Sequence, residues 1–144
     1  MMEQYGKGLF ARYQQRQTGS SWSWARDASV AYRDQCLSVL EYAANREWNQ
    51  AREKTDHPAG WSASIRRVAH YAAWMVDVAQ GMIPDLAQAE RALWRCLKMY
   101  RLIGDLSSAR TIYQTYARTL MERETDWKPS RKIRKAWSEA TALA

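Results

Sequence analysis

Apolar residues recur along this chain at three- and four-residue steps and nowhere in sustained alternation, so the pattern predicts helices and no strands. The clearest stripe is Ile65, Val68, Ala69, Ala72, Val76, Ala79 and Ile83, which share one face of a helix ended by Gly81 and Pro84. A second stripe, Leu86, Ala89, Leu93, Cys96, Leu97, Tyr100 and Ile103, opens on Asp85 as an N-cap and closes at Gly104. A third, Leu106, Ala109, Ile112, Tyr113, Tyr116 and Leu120, takes Asp105 as its cap. Only Gly104 and Asp105 separate the second stripe from the third, so these helices are expected to fold back as an antiparallel hairpin.

The flanking segments carry weaker signals. Val30, Cys36, Leu37, Leu40, Ala43 and Ala44 predict a helix that runs on to residue 53, with residues 55–60 breaking it. Pro129 is expected to start a last short helix with Ile133, Ala136, Trp137 and Ala140 on one side, since proline is tolerated in a first turn. Nearer the start, a short helix over residues 9–15 and a Ser/Gly loop over residues 18–21 are predicted, the loop returning Trp22 and Trp24 to the core.

Composition changes this picture little. The 144 residues are 47% hydrophobic and 26% charged, with eight Trp and eight Tyr, which is enough apolar material for one folded domain over residues 1–144 and argues against disorder. Six Gly and three Pro are too few for the many tight turns of a β-sandwich or barrel. No uninterrupted apolar run approaches the ~18 residues of a membrane span, and the first residues lack a signal-peptide layout, so a cytoplasmic protein is expected. Cys36 and Cys96 stand far apart on apolar stripes and are expected to be buried, reduced thiols.

The search for chemistry returns little. His57 lies in a Pro/Gly segment, and His70 shares a helix face with Arg66, Trp74 and Asp77, a polar face on which a His–Asp pair is conceivable. None of the common phosphate, zinc or hydrolase motifs occurs. No catalytic residue, cofactor site or metal site is assigned.

One constellation stands out. The side of the 85–103 helix away from its apolar stripe carries Arg91, Trp94, Arg95, Lys98 and Arg101, a row of cations around an aromatic. A second basic cluster, Lys128, Arg131, Lys132, Arg134 and Lys135, surrounds the last helix. The formal charge of +7 fits an acidic partner without selecting one.

Tyr100, Gly104, Ala109 and Tyr113 fall at separations of four, five and four, which resembles the tetratricopeptide signature: a glycine for the sharp turn, a small alanine for close helix approach, aromatics for the remaining space. The run Glu124-Thr125-Asp126-Trp127-Lys128-Pro129-Ser130 with Ile133 and Trp137 resembles the ending of the bacterial transcriptional activator domain, the helical module of antibiotic-pathway regulators. Ile83-Pro84-Asp85-Leu86 and Arg91-Ala92-Leu93-Trp94 resemble that family's joint between repeats, and Tyr5-Gly6-Lys7-Gly8-Leu9-Phe10 with Trp24 resembles its opening segment. The sequence departs from the family at Ala87 and at Thr125-Asp126, and residues 47–62 read as a longer joint than the family's short turn.

The resemblance implies an all-α fold of tetratricopeptide-like antiparallel hairpins in a right-handed superhelical array. In that register Arg91, Trp94, Lys98 and Arg101 would line the concave groove, with Arg95 beside them. It further implies a protein–protein interaction or oligomerisation module in bacterial transcription regulation, whose partner is an acidic protein segment or a second copy. The winged-helix DNA-binding domain that precedes such modules is not within these residues, so direct promoter binding is not implied. The alternative is a basic, nucleic-acid-binding helical protein, resting on the net charge and the clustered Arg, Lys and Trp.

Overall fold

In the computed structural model the described residues are 19–81, 83–123 and 128–141, and every regular element among them is helical. They are α1 (Gly19–Glu53), α2 (Pro58–Ala79), α3 (Leu86–Leu102), α4 (Leu106–Ile112), a π-helical turn (Tyr113–Ala117), α5 (Arg118–Arg123) and α6 (Arg131–Thr141). Internal packing divides the chain into two units, Met1–Gln35 and Cys36–Ala144. In the first, the described residues are the opening turns of α1, where the Ser29 hydroxyl donates to the Ala25 carbonyl at 3.1 Å and Arg33 pairs with Asp34 at 3.0 Å.

The second unit is organised by the predicted stripes. On α2, Ile65, Val68, Ala69, Ala72, Val76 and Ala79 are all buried, and on α3 so are Ala89, Leu93, Cys96, Leu97 and Tyr100. The alanines on the facing stripes keep side-chain volume small, so α2 and α3 pack closely over their length. The Cys96 thiol donates to the Ala69 carbonyl at 3.4 Å across this seam. From α1, Leu37, Leu40, Ala44 and Ala51 add to the same core.

The caps and the turn form as the sequence predicts. Asp85 accepts from the Gln88 backbone N–H at 3.1 Å, and Asp105 from that of Ser108 at 3.0 Å. Gly104 sits at φ 69°, the left-handed region that a side chain disfavours. The Asp105 N–H bonds to the Tyr100 carbonyl at 2.9 Å and the Gly104 N–H to that of Arg101 at 3.0 Å, the paired bonds of a Schellman ending.

Five expectations are corrected. The loop expected over residues 18–21 is helix from Gly19 onward, because serine and glycine are well accepted in a first turn. The predicted helix over residues 9–15 lies outside the described residues, as does the Trp22 side chain. The first long helix runs to Glu53 as expected, but the break expected over residues 55–60 and the longer joint read over 47–62 both shrink to 54–57, because Pro58 occupies the first turn of α2, where its missing N–H costs no bond. The last helix begins at Arg131 rather than Pro129, with the Ser130 hydroxyl oxygen accepting from the Ile133 N–H at 3.3 Å. Cys36 is only half-buried, whereas Cys96 is fully buried, and both are free thiols. The helix from Leu106 widens into a π turn at Tyr113–Ala117, where the buried Gln80 side chain donates to the Tyr116 carbonyl at 3.1 Å.

Candidate recognition cleft

The face of α3 opposite its buried stripe carries the predicted cations, and the structure shows what each one meets. Arg91 pairs with Glu41 at 3.5 Å and donates to the Gln88 side chain at 2.9 Å. Arg95 donates to the Asn45 amide oxygen at 2.8 Å. Lys98 and Arg101 both reach Glu139 of α6, at 2.7 and 2.9 Å, and the Lys98 hydrogen bond foremost holds that carboxyl below the usual carboxylate range. Trp94 is half-buried, with the Lys132 ammonium of α6 3.9 Å from its ring centroid and Lys98 5.9 Å away.

Four of the five predicted residues, Arg91, Trp94, Arg95 and Lys98, line one cleft of about 330 Å³. Arg101 does not line it; it serves the contact to α6 instead. The other walls come from Glu41 and Trp48 of α1, Met75 of α2, and Ala92 and Met99 of α3. The lining therefore combines apolar side chains with three cations, an arrangement suited to a partner that presents an apolar side chain beside negative charge. Burial pulls the Arg95 guanidinium below its ordinary pKa; Glu41 opposes that shift and Arg91 adds to it.

Sequence reasoning missed Glu41, Asn45, Trp48, Met75, Met99 and Glu139. Glu41, Asn45 and Trp48 recur at four- and three-residue steps on one face of α1, a signal present in the sequence but indistinguishable there from a solvated face.

The residues once conceivable as a His–Asp pair are placed otherwise. Asp77 accepts from the Tyr116 hydroxyl at 3.0 Å, and Arg66 pairs with Asp105 at 2.7 Å, leaving His70 on an exposed face. Burial first, then the Asp77 bond, raises the Tyr116 hydroxyl above the ordinary range. Burial likewise raises the Cys96 thiol. Among the described residues no group of His, Cys, Asp or Glu gathers as a metal site, and no helix is long and apolar enough to cross a membrane.

No protein-family model matches the chain, and neither a curated protein nor a solved structure matches it. The resemblance to the bacterial transcriptional activator domain thus rests on the quoted motifs alone.

Proposed function

We propose that the chain is a protein–protein interaction module, built as a tetratricopeptide-like array of antiparallel helical hairpins in a right-handed superhelix and acting in bacterial transcription regulation. The observation that carries the interaction reading is the cleft: Trp48, Met75 and Met99 supply apolar surface while Arg91, Arg95 and Lys98 surround it. The left-handed Gly104 and the fully buried Ala109 support the hairpin reading, and the regulatory setting comes from the motif resemblance. The partner is an acidic, extended or helical protein segment bearing one apolar anchor, with charge raising the association rate and the anchor supplying affinity. Self-association through the same cleft is the variant in which a second copy provides that segment.

The test is fluorescence anisotropy of a labelled acidic peptide containing a single leucine or phenylalanine, compared between wild type and Arg91→Glu/Arg95→Glu. Expected is salt-sensitive binding to wild type and at least a tenfold loss in the variant. Equal affinity for both proteins removes the cleft. Lys98 and Arg101 suit this test less well, because they also hold Glu139, and reversing them would loosen α6.

A second reading, nucleic-acid binding, is favoured by one observation. Lys128, Arg131, Lys132, Arg134 and Lys135 are all exposed, and the neighbouring carboxylate Glu139 is engaged by α3. It predicts that random duplex DNA binds with a steep salt dependence that Arg131→Ala/Arg134→Ala/Lys135→Ala reduces and the cleft variant does not.

A further inference from the structure

The cleft between α1, α2 and α3 is built around a cation without a matching anion. Arg91 has Glu41 and Lys98 has Glu139, but the half-buried Arg95 guanidinium meets the neutral side chain of Asn45 at 2.8 Å. Among the described residues no carboxylate stands within ion-pair distance of it. Glu41 acts on it only from farther off, while Arg91 repels it. A guanidinium moved partly out of water and given one neutral acceptor has lost hydration without gaining a charge partner. An anion placed on its remaining N–H groups gains more there than on an open surface, because the site is partly desolvated and the planar fork accepts a carboxylate through two bonds.

The surface beside Arg95 fixes what else that anion must carry. Met75, Met99 and Ala92 are buried side chains that contribute to the cleft wall, and Trp48 adds an aromatic side. The volume of about 330 Å³ lies near the lower end of ligand-sized cavities, which run from about 300 to 1,000 Å³. Three cations face one carboxylate in the lining, so an anion is favoured over a cation or a neutral group.

We infer that this cleft binds a compact apolar carboxylate, its hydrocarbon part against Met75, Met99 and Trp48 and its carboxylate on Arg95. This rests on the recognition reading given above and narrows it. The chemistry has two sources: the last residue of a peptide, whose free C-terminal carboxylate adjoins an apolar side chain, and a free small-molecule acid. Glu41 acts as a brake on both, because its carboxylate neutralises Arg91 and stands near the incoming charge.

The experiment is a calorimetric titration of the full chain with naphthalene-2-carboxylate, with its neutral primary amide, and with one apolar-ended acidic peptide in free-acid and amidated forms. The acid should bind at least tenfold more tightly than the amide. Arg95→Gln should remove at least tenfold of the acid's affinity and leave the amide unchanged, Arg95→Lys should lose less, and Glu41→Gln should raise acid affinity severalfold. A peptide source is shown by a tenfold preference for the free C-terminus, and a small-acid source by two peptide forms that bind alike while the naphthoate still depends on Arg95. Equal binding of acid and amide, no binding of the acid at millimolar concentration, or an Arg95→Gln protein that folds and binds like wild type overturns the inference. If the amidated acidic peptide still binds in that case, only this inference fails. If neither peptide nor naphthoate binds, the interaction cleft fails with it.

Discussion

Helix α3 packs on α2 along one face and on α6 along another, and these two seams are held by different physics. Toward α2 it buries Ala89, Leu93, Cys96 and Leu97 against Ile65, Val68, Ala69, Ala72 and Val76, all at or near zero exposure. Toward α6 it offers a polar seam: Glu139 forked between Lys98 and Arg101, Lys132 over Trp94, and the apolar residues Ile133 and Ala136 beneath. The seam is completed by Trp137 stacked on Tyr113 of the π turn, with centroids 4.4 Å apart and planes 11° from parallel. The first seam is non-directional and its buried apolar side chains offer no charge for salt to screen; the second depends on charges that salt does screen. The apolar stripe therefore sets the fold, while the charged face fixes where the last helix docks and leaves the Arg95 cleft open beside it.

The contrast predicts a ranking of effects. Leu93→Ala, which opens a cavity in the α2–α3 seam, should cost about 2–5 kcal/mol in urea unfolding, and the loss should be the same at low and high salt. A loss below 1 kcal/mol would mean the seam is not the stabilising core described here.

Gly104→Ala comes next. A Cβ there would meet nothing within 4 Å, so the cost is conformational and not steric, roughly 1–2 kcal/mol from the left-handed backbone alone. Thermal unfolding of the variant measures it, and an unchanged midpoint would remove the Schellman turn from the account.

Asp105 gives a pH signature of moderate size. The Ser108 hydroxyl, first, and Arg66 hold its carboxyl down to about 2 from an ordinary 3.8. Its folded pKa is depressed, so its contribution is complete above 3.8 and is lost as the pH falls through about 2. Unfolding midpoints across that window should drop in wild type and drop less in Asp105→Asn. Parallel curves would contradict the bracing of α2 to the start of α4.

The smallest effect belongs to Glu139→Gln. It should leave the α2–α3 seam intact, lower stability slightly at low salt and approach wild type as salt rises, because an exposed ion pair contributes little once screened. A salt-independent loss would show that the α6 contact is not chiefly electrostatic at Glu139.

The sequence made one of these seams readable and not the other. Ile65 to Ala79 and Leu86 to Ile103 keep strict helical periodicity because burial against a neighbour demands it, and Asp85, Asp105 and Gly104 are local signals that act within a few residues. Nothing local marks Tyr113–Ala117 for a π turn, because that widening accompanies a bond from Gln80 on another helix. The cations Arg91, Arg95 and Lys98 share a face that the sequence shows, but whether each one is free or paired depends on Glu41, Asn45 and Glu139, which lie about 40 to 50 positions away along the chain. The family resemblance implies that Lys98 and Arg101 are groove cations, but Glu139 turns both toward a structural contact. Pro58 and Gly60 signal a break over residues 55–60, yet both stand in the first turn of α2, where Pro58 is well tolerated.

The interaction cleft is tested most directly by following the indole N–H resonances of the eight tryptophans in a two-dimensional NMR titration with an acidic, apolar-ended peptide. Trp48 and Trp94 line or flank the cleft, whereas Trp74 is exposed elsewhere on α2 and reports on non-specific contact. The account predicts saturable shifts at Trp48 and Trp94, none at Trp74, and loss of both shifts in Arg91→Glu/Arg95→Glu. Shifts confined to other tryptophans, or shifts at Trp48 and Trp94 that persist unchanged in that variant, would contradict it.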